Sequence, residues 1–317
     1  MVLKWCAKCD KIREKGRFFP PDLSKGDAAL KCDLCPRGCS YEGDRRGFCT
    51  DGKDARVAKI MLHHFEEPCI SGGEDGAGSG AIFFTGCSLK CVYCQNGKIS
   101  RSRGGEVMSP ERLAEEILRL QDEGAYNVNL VTPTHFTDRI IEALDIAKGR
   151  LRIPVVWNTS GYETPENIAR LKGYVDIYLT DFKYASSELS AKYSAAPDYA
   201  RFAAAALAEM VKTAGEPVYD GELMMSGVIV RHLVLPGAYR DSVRVLETVA
   251  DTVGAYAVVL SLMAQYTPEF LTGDHPELKR RITSFEYDKV LKRARELGFS
   301  GYMQSRSSAD ASFTPDF

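Results

Sequence analysis

Beyond Cys94 the chain has no cysteine at all: its ten cysteines lie between residues 6 and 94. A disulfide framework would staple the whole length, so this distribution excludes one, and cysteines gathered at one end read as metal or cluster ligands. Long apolar runs are missing as well. No stretch approaches the ~18 to 20 residues that cross a bilayer, and the opening MVLKWCAKCDKIREKG has no apolar signal core. A cytoplasmic protein without a membrane partner is expected. Charge of one sign is also lacking. With 41 basic and 43 acidic residues the net is −2, which gives no field for a polyanion, so nucleic acid is not an expected partner. The first sixty residues differ, holding 14 basic and 9 acidic side chains. A solvated basic face is the ordinary reading of that excess, an acidic contact the sharper one.

Alternating strand-like and helix-like segments begin at residue 81. The strand candidates AIFFTG (81–86), VNLVT (128–132), PVVWNTS (154–160), DIYLTDFK (176–183), GVIVRHLVLPG (227–237) and AYAVVLSLM (255–263) are near-continuous apolar runs. Such runs suit a parallel sheet covered on both faces. Helical patterns lie between them. The clearest is SPERLAEEILRLQDEGA, with Ser109 as N-cap, Pro110 in the first turn, and Leu113, Ile117 and Leu120 on one stripe. Six βα units predict an α/β fold, a partial (β/α)6 TIM-like barrel, with a doubly wound sheet as the alternative. In both, ligands gather at the C-terminal ends of the strands. Residues 1–70 read as a separate cysteine-rich extension and 71–317 as the barrel with a C-terminal segment. The run SGGEDGAGSG reads as a flexible approach to the first strand; it lacks the GK[ST] of a phosphate loop.

The loop after the first strand, GCSLKCVYCQN, places Cys87, Cys91 and Cys94 within eight residues. Three thiolates do not close a tetrahedral zinc site without an outside ligand. They do hold three irons of a 4Fe–4S cube and leave the fourth open to a small molecule. A zinc site completed by Cys69 or a histidine is the bland alternative.

The C-x3-C-x2-C spacing, with Tyr93 before the last cysteine, resembles the signature of the radical S-adenosylmethionine (SAM) superfamily. The segments CDLCPRGC, EEPCISG, VTPTHF, NTSGYE, DIYLTDFKY, RHLVLPG and QYTP resemble those of the pyruvate formate-lyase activating-enzyme-related proteins. The resemblance implies a radical SAM barrel and an oxidoreductase. Its 4Fe–4S cluster binds SAM at the open iron and cleaves it to a 5′-deoxyadenosyl radical that abstracts hydrogen. It implies a reductant such as flavodoxin or ferredoxin and, in activating enzymes, a protein glycine as substrate. A small molecule, a peptide or an RNA base are the alternatives. A non-catalytic metal module contacting nucleic acid is the reading from another class.

Carried over by position, the resemblance puts Tyr93 beside the SAM adenine, and Asn158 and Thr159 of NTSGYE near its carboxylate. Asp181 and Lys183 of TDFK face its ribose and charged centre, and Arg231 is a further SAM contact. Asp181 and Lys183, two apart on a strand, share one face, so a mutual salt bridge is their structural alternative. His232 points to the other face and is expected to be packed. The Gly-Gly-Glu that binds the SAM amine in activating enzymes is replaced by VTPTHF, so Thr132, Thr134 and His135 offer polar groups there but no acid. His135 is left open among amine contact, substrate contact and packing. Upstream, Cys32, Cys35, Cys39 and Cys49 read as a second iron–sulfur cluster or, with Cys6 and Cys9 replacing Cys39 and Cys49, as a zinc site. Cys69 reads as a spare ligand or a buried thiol.

Overall fold

The computed structural model describes residues 30–41, 47–50, 52–73 and 75–303. Cys6, Cys9 and the segment after Met303 therefore lie outside the described residues. A two-stranded ribbon, β1 (Leu30–Lys31) and β2 (Ser40–Tyr41), carries the cysteine finger. The main sheet contains β3 (Ala55–His63), β4 (Ser79–Phe84), β5 (Glu106–Met108), β6 (Val128–Val131), β7 (Val155–Thr159) and β8 (Ile177–Asp181), then β9 (Val218–Asp220), β10 (Leu223–Leu233), β11 (Val259–Met263) and β12 (Gly301–Met303). The helices are α1 (Pro68–Ser71), α2 (Gly97–Ser100), α3 (Pro110–Asp122), α4 (Thr137–Ala147) and α5 (Pro165–Arg170), followed by α6 (Ser187–Ser194), α7 (Tyr199–Ala214), α8 (Tyr239–Val253) and α9 (Ser284–Glu296).

Strand order is β12-β11-β10-β8-β7-β6-β4-β3-β5, with β9 hairpinned onto β10. From β4 to β12 the strands on this path run parallel; β3 and β5 are antiparallel additions at the β4 edge. All six predicted strands are present, and the sheet is a mixed α/β layer left as an open path. The expected division at residue 70 is not where the pairing divides. Residues 55–63 bond to β4 and belong to the main sheet.

Helices cover the outer face as their periodicity requires. In α3, Leu113, Ile117 and Leu120 are fully buried, and the Ser109 side chain accepts from the Arg112 N–H. Each such leucine or isoleucine contributes roughly 1.5–3 kcal/mol on burial. The inner face is narrower, and α1 fills it. Cys69 and Ile70 pack there with Val156, Ile177, Leu179 and Ile229. Cys69 is thus a buried thiol, its pKa pushed up to about 11 by burial. Asn127 holds this plug, donating to the Ile70 carbonyl at 2.7 Å while Ser79 donates to its Oδ1 at 2.6 Å.

The glycine-rich run is not the flexible approach expected of it. Gly72 closes α1 at φ 76°, where an added Cβ would meet the Tyr126 ring at 2.4 Å. Gly76 lies against the Ser71 carbonyl, 2.5 Å from where its Cβ would sit. At Gly72 and Gly76 the α1-to-β4 turn leaves no room for a side chain.

Helix α9 begins with a capping box. The Glu286 N–H donates to Thr283 Oγ1 at 3.2 Å, and the Thr283 N–H donates back to Glu286 Oε2 at 2.8 Å. Thr283→Ala is expected to cost about 1 kcal/mol, read as a Tm lowered by roughly 2–4 °C in thermal unfolding.

Candidate functional site

The parallel strands end together, and their C-terminal loops surround one cavity of about 530 Å³. Every barrel residue predicted to hold a cofactor lines it: Cys87, Cys91, Tyr93, Cys94, Asn158, Thr159, Asp181, Lys183 and Arg231. Four separate strand ends, those of β4, β7, β8 and β10, supply them, so the convergence comes from the topology and not from sequence proximity.

The cysteine loop follows β4. Each of its sulfurs accepts a hydrogen bond: Cys87 Sγ from the Leu89 N–H at 3.3 Å, Cys91 Sγ from Ser194 Oγ at 3.0 Å, and Cys94 Sγ from Ser100 Oγ at 3.5 Å. Among the described residues no three His, Cys, Asp or Glu side chains converge tightly enough to hold one metal ion. A cube takes one iron per thiolate, so its sulfur ligands need not meet at a point. The sulfurs, their hydrogen-bond donors and the adjoining cavity suit a cluster with an open side. None of the eight described cysteines is joined to another in a disulfide.

Tyr93 is buried and lies edge-on to Tyr266, ring centroids 6.1 Å apart. Its hydroxyl shares a hydrogen bond with Tyr184 at 2.6 Å, which leaves the ring, not the hydroxyl, to meet a ligand. Asp181 and Lys183 form a 2.6 Å ion pair. Burial works against the Lys183 charge, but the Asp181 charge and hydrogen bond, with Cys91 and Tyr199 beside them, together hold the ammonium well above its ordinary pKa. The salt bridge and the cavity position therefore coexist.

Arg231 was predicted from its own strand; its partners were not. Its Nε donates to Glu67 Oε1 at 2.7 Å, and its Nη2 bonds both Glu66 and Glu67. These acids immediately precede α1, so the plug that fills the barrel delivers them to the floor of the cavity. Glu66 Oε1 also accepts from Asn129 at 2.8 Å and from Asn158 at 3.3 Å. Burial alone would raise the Glu66 pKa, yet the Arg231 charge, His63 and the hydrogen bonds from Arg231 and Asn129 together lower it, so it stays ionised. The acid missing from VTPTHF is thus brought to the same strand ends from more than sixty residues upstream. Nothing local in EEPC signals where its carboxylates point.

The VTPTHF residues divide. Thr132 lines the cavity at φ 59°, a left-handed conformation costing a β-branched residue roughly 1–2 kcal/mol, a strain common at ligand sites. Thr134 turns away and donates to Glu163 Oε1 at 2.6 Å. His135 is buried, with Nε2 2.7 Å from the Thr85 carbonyl and its ring 4.2 Å from that of Phe136, so it props the end of β4. His232 is packed as predicted, with Nδ1 2.7 Å from the Phe182 carbonyl.

Beneath the cavity, Glu163 is fully buried. Its Oε1 accepts from Thr134, from Thr159 at 2.7 Å and from Trp157 at 3.2 Å, and its Oε2 from Asn167 at 3.2 Å. Burial raises its pKa above the ordinary 4.5, with the four donors acting in the other direction. The native state therefore holds the proton more tightly than the unfolded chain. The stability this contributes is complete below about pH 4.5 and is lost as pH rises through the folded pKa. Glu163→Gln puts an N–H against existing donors and is expected to cost about 1–3 kcal/mol. It should also flatten this part of the stability–pH profile in denaturant titrations.

The second cysteine set lies beside the cavity, not in it. The Cys32 N–H donates to the Cys39 carbonyl at 2.9 Å, the Phe48 N–H points at Cys39 Sγ at 3.4 Å, and Cys32 and Cys49 neighbour the buried Cys35 thiol. The Cys49 carbonyl packs against Gly86, where an added Cβ would sit only 2.0 Å away. The finger is therefore docked on the cysteine loop.

The Radical SAM superfamily matches residues 81–237. An uncharacterised protein of Methanocaldococcus jannaschii, MJ0674, is 32% identical over 275 residues, covering 83% of this chain and 74% of that protein. A second from the same organism, MJ0808, is 23% identical over 48% of this chain and 52% of its own length. Among solved structures, Streptococcus suis SuiB bound to the precursor peptide SuiA overlaps 70% of this chain and 47% of its own, with a TM-score of 0.48 at 14% identity. The chain thus spans under half of SuiB's length. Among the described residues no helix is long and apolar enough to cross a membrane.

Proposed function

The chain belongs to the radical SAM superfamily, and on that premise we propose that it is a SAM-dependent radical enzyme acting like the activating enzymes of glycyl-radical proteins. The observation that carries this reading is the convergence of Cys87, Cys91, Cys94 and the charged strand ends on one cavity, whose volume suits a ligand of SAM's class.

The three thiolates would hold three irons of a 4Fe–4S cluster, and SAM would occupy the cavity beside the fourth. When bound, the cluster would supply one electron for reductive cleavage of SAM to methionine and a 5′-deoxyadenosyl radical. The protein's own residues bind and orient. The Tyr93 ring offers a face to the adenine, and the Asp181–Lys183 pair offers an acceptor and a donor to the ribose. Glu66 presents an ionised carboxylate to the methionyl ammonium, with Arg231 and Asn158 at hand for the carboxylate. Charge-assisted contacts of this kind are the strong ones in a water-poor cleft. The cysteine finger would carry a second cluster or a zinc ion, and a flavodoxin or ferredoxin would supply electrons.

The substrate class is tested by isotope transfer. Deuterium from a glycine Cα of a candidate partner protein should appear in 5′-deoxyadenosine. Deuterium arriving instead from a labelled small molecule would rule out the activating role.

A further inference from the structure

Three hydroxyls stand in series behind Cys91. Ser194 Oγ lies 3.0 Å from Cys91 Sγ, Tyr184 Oη 2.8 Å from Ser194 Oγ, and Tyr93 Oη 2.6 Å from Tyr184 Oη. All four side chains are buried. A cluster-ligating thiolate only accepts, and Ser194 has a single proton to give. Ser194 therefore donates to the sulfur, Tyr184 to Ser194, and Tyr93 to Tyr184. Every donor points toward the one sulfur, and hydrogen bonds in such a chain polarise one another.

Ser194 is the last residue of α6, and Ala195 behind it takes the left-handed conformation at φ 51°, rarely held by alanine without support. The support comes from the finger. Arg37 donates through Nη1 to the Ala195 carbonyl at 2.6 Å, through Nη2 to the Ser194 carbonyl at 3.3 Å and through Nε to the Ser88 carbonyl at 2.9 Å. Its guanidinium lies 4.1 Å from the Phe48 ring centroid and 5.3 Å from that of Tyr162. One side chain of the finger thus clamps both the cysteine loop and the turn that aims Ser194.

We propose that Arg37 is a positioning residue for Cys91, acting through Ser194, so that the docked finger raises the reduction potential of the cluster. The inference rests on the reading that Cys91 is a cluster ligand. Reduction adds negative charge to the cluster and its sulfurs, and a donor aimed at a sulfur stabilises that reduced state.

The test is a potentiometric titration of the reconstituted full-length protein, followed by electron paramagnetic resonance. Ser194→Ala is expected to lower the reduction equilibrium constant about tenfold, which for one electron is about 59 mV. Arg37→Ala should shift it the same way by about threefold or more with unchanged iron content. The double variant should go no further than Ser194→Ala, because the two act on one hydrogen bond. An Arg37→Ala potential equal to that of the wild type, or additive shifts in the double variant, would overturn the proposal. If Arg37→Ala does not fold, Arg37→Lys carries the same test, since one ammonium does not span three carbonyls. Wild-type protein that assembles no cluster overturns the underlying reading, an outcome distinct from a cluster whose potential ignores Arg37.

Discussion

Cys94→Ala is expected to abolish SAM cleavage and leave the fold intact. A three-thiolate site that loses one ligand no longer holds the cube, and no other described cysteine lines the cavity to replace it. Cys94 is only partly buried, and its sulfur contacts the Ser100 hydroxyl, so truncation leaves little void. The variant should purify folded, lose the iron and the absorbance of the cluster in this loop, and form no 5′-deoxyadenosine above background. Cys69→Ala is the matched control. That thiol is buried in the apolar plug, so its loss should cost a little stability and leave cluster content unchanged. If both variants kept their iron, Cys94 would not be a ligand.

The second large effect is expected at the Glu66–Glu67–Arg231 cluster. Arg231→Met leaves two carboxylates, 7% and 5% exposed, facing each other without a cation. Removing one partner from a buried ionic set costs roughly 3–5 kcal/mol, because the stranded charge loses compensation that its desolvation still requires. A fall in Tm on the order of 10 °C follows. Glu66→Gln behaves differently. The amide still accepts from Asn129, and Arg231 keeps Glu67, so the stability loss should be small. What disappears is the charge facing the cavity, worth about 1.5–3 kcal/mol in a charge-assisted hydrogen bond. SAM should therefore bind about ten- to a hundredfold more weakly to Glu66→Gln, measured by equilibrium binding to anaerobic protein. Unchanged SAM affinity would remove Glu66 from the site.

Those two acids mark where sequence reading stopped. The six parallel strands were legible because strands buried on both faces must be apolar throughout, and ligand residues could then be placed at their ends. That Cys87, Cys91 and Cys94 would sit together at a strand end was legible from their spacing behind β4, and they line the cavity there. Glu66 was not, because a four-residue plug carries it into the barrel, and nothing local distinguishes a plug from a surface turn. β3 and the edge strands β5 and β12 escaped for a similar reason: pairing at the margin of a sheet is decided by the neighbouring strand. Ser194 and Tyr184 meet Cys91 and Tyr93 across some ninety to a hundred residues, beyond any periodicity. Helix α9 is a different case. Thr283 followed by Glu286 is a capping-box signature ahead of an amphipathic run, so that signal was present in the sequence.

The central claim is that the loop after β4 holds a cluster whose open side faces a SAM pocket. Anaerobically reconstituted protein, reduced with dithionite and given SAM, tests it most directly by chromatography of the nucleoside products. The account predicts 5′-deoxyadenosine and methionine in equal amounts, dependent on reductant and absent in Cys94→Ala. Iron-loaded, folded protein that leaves SAM intact, or that yields equal product with and without Cys94, would contradict it.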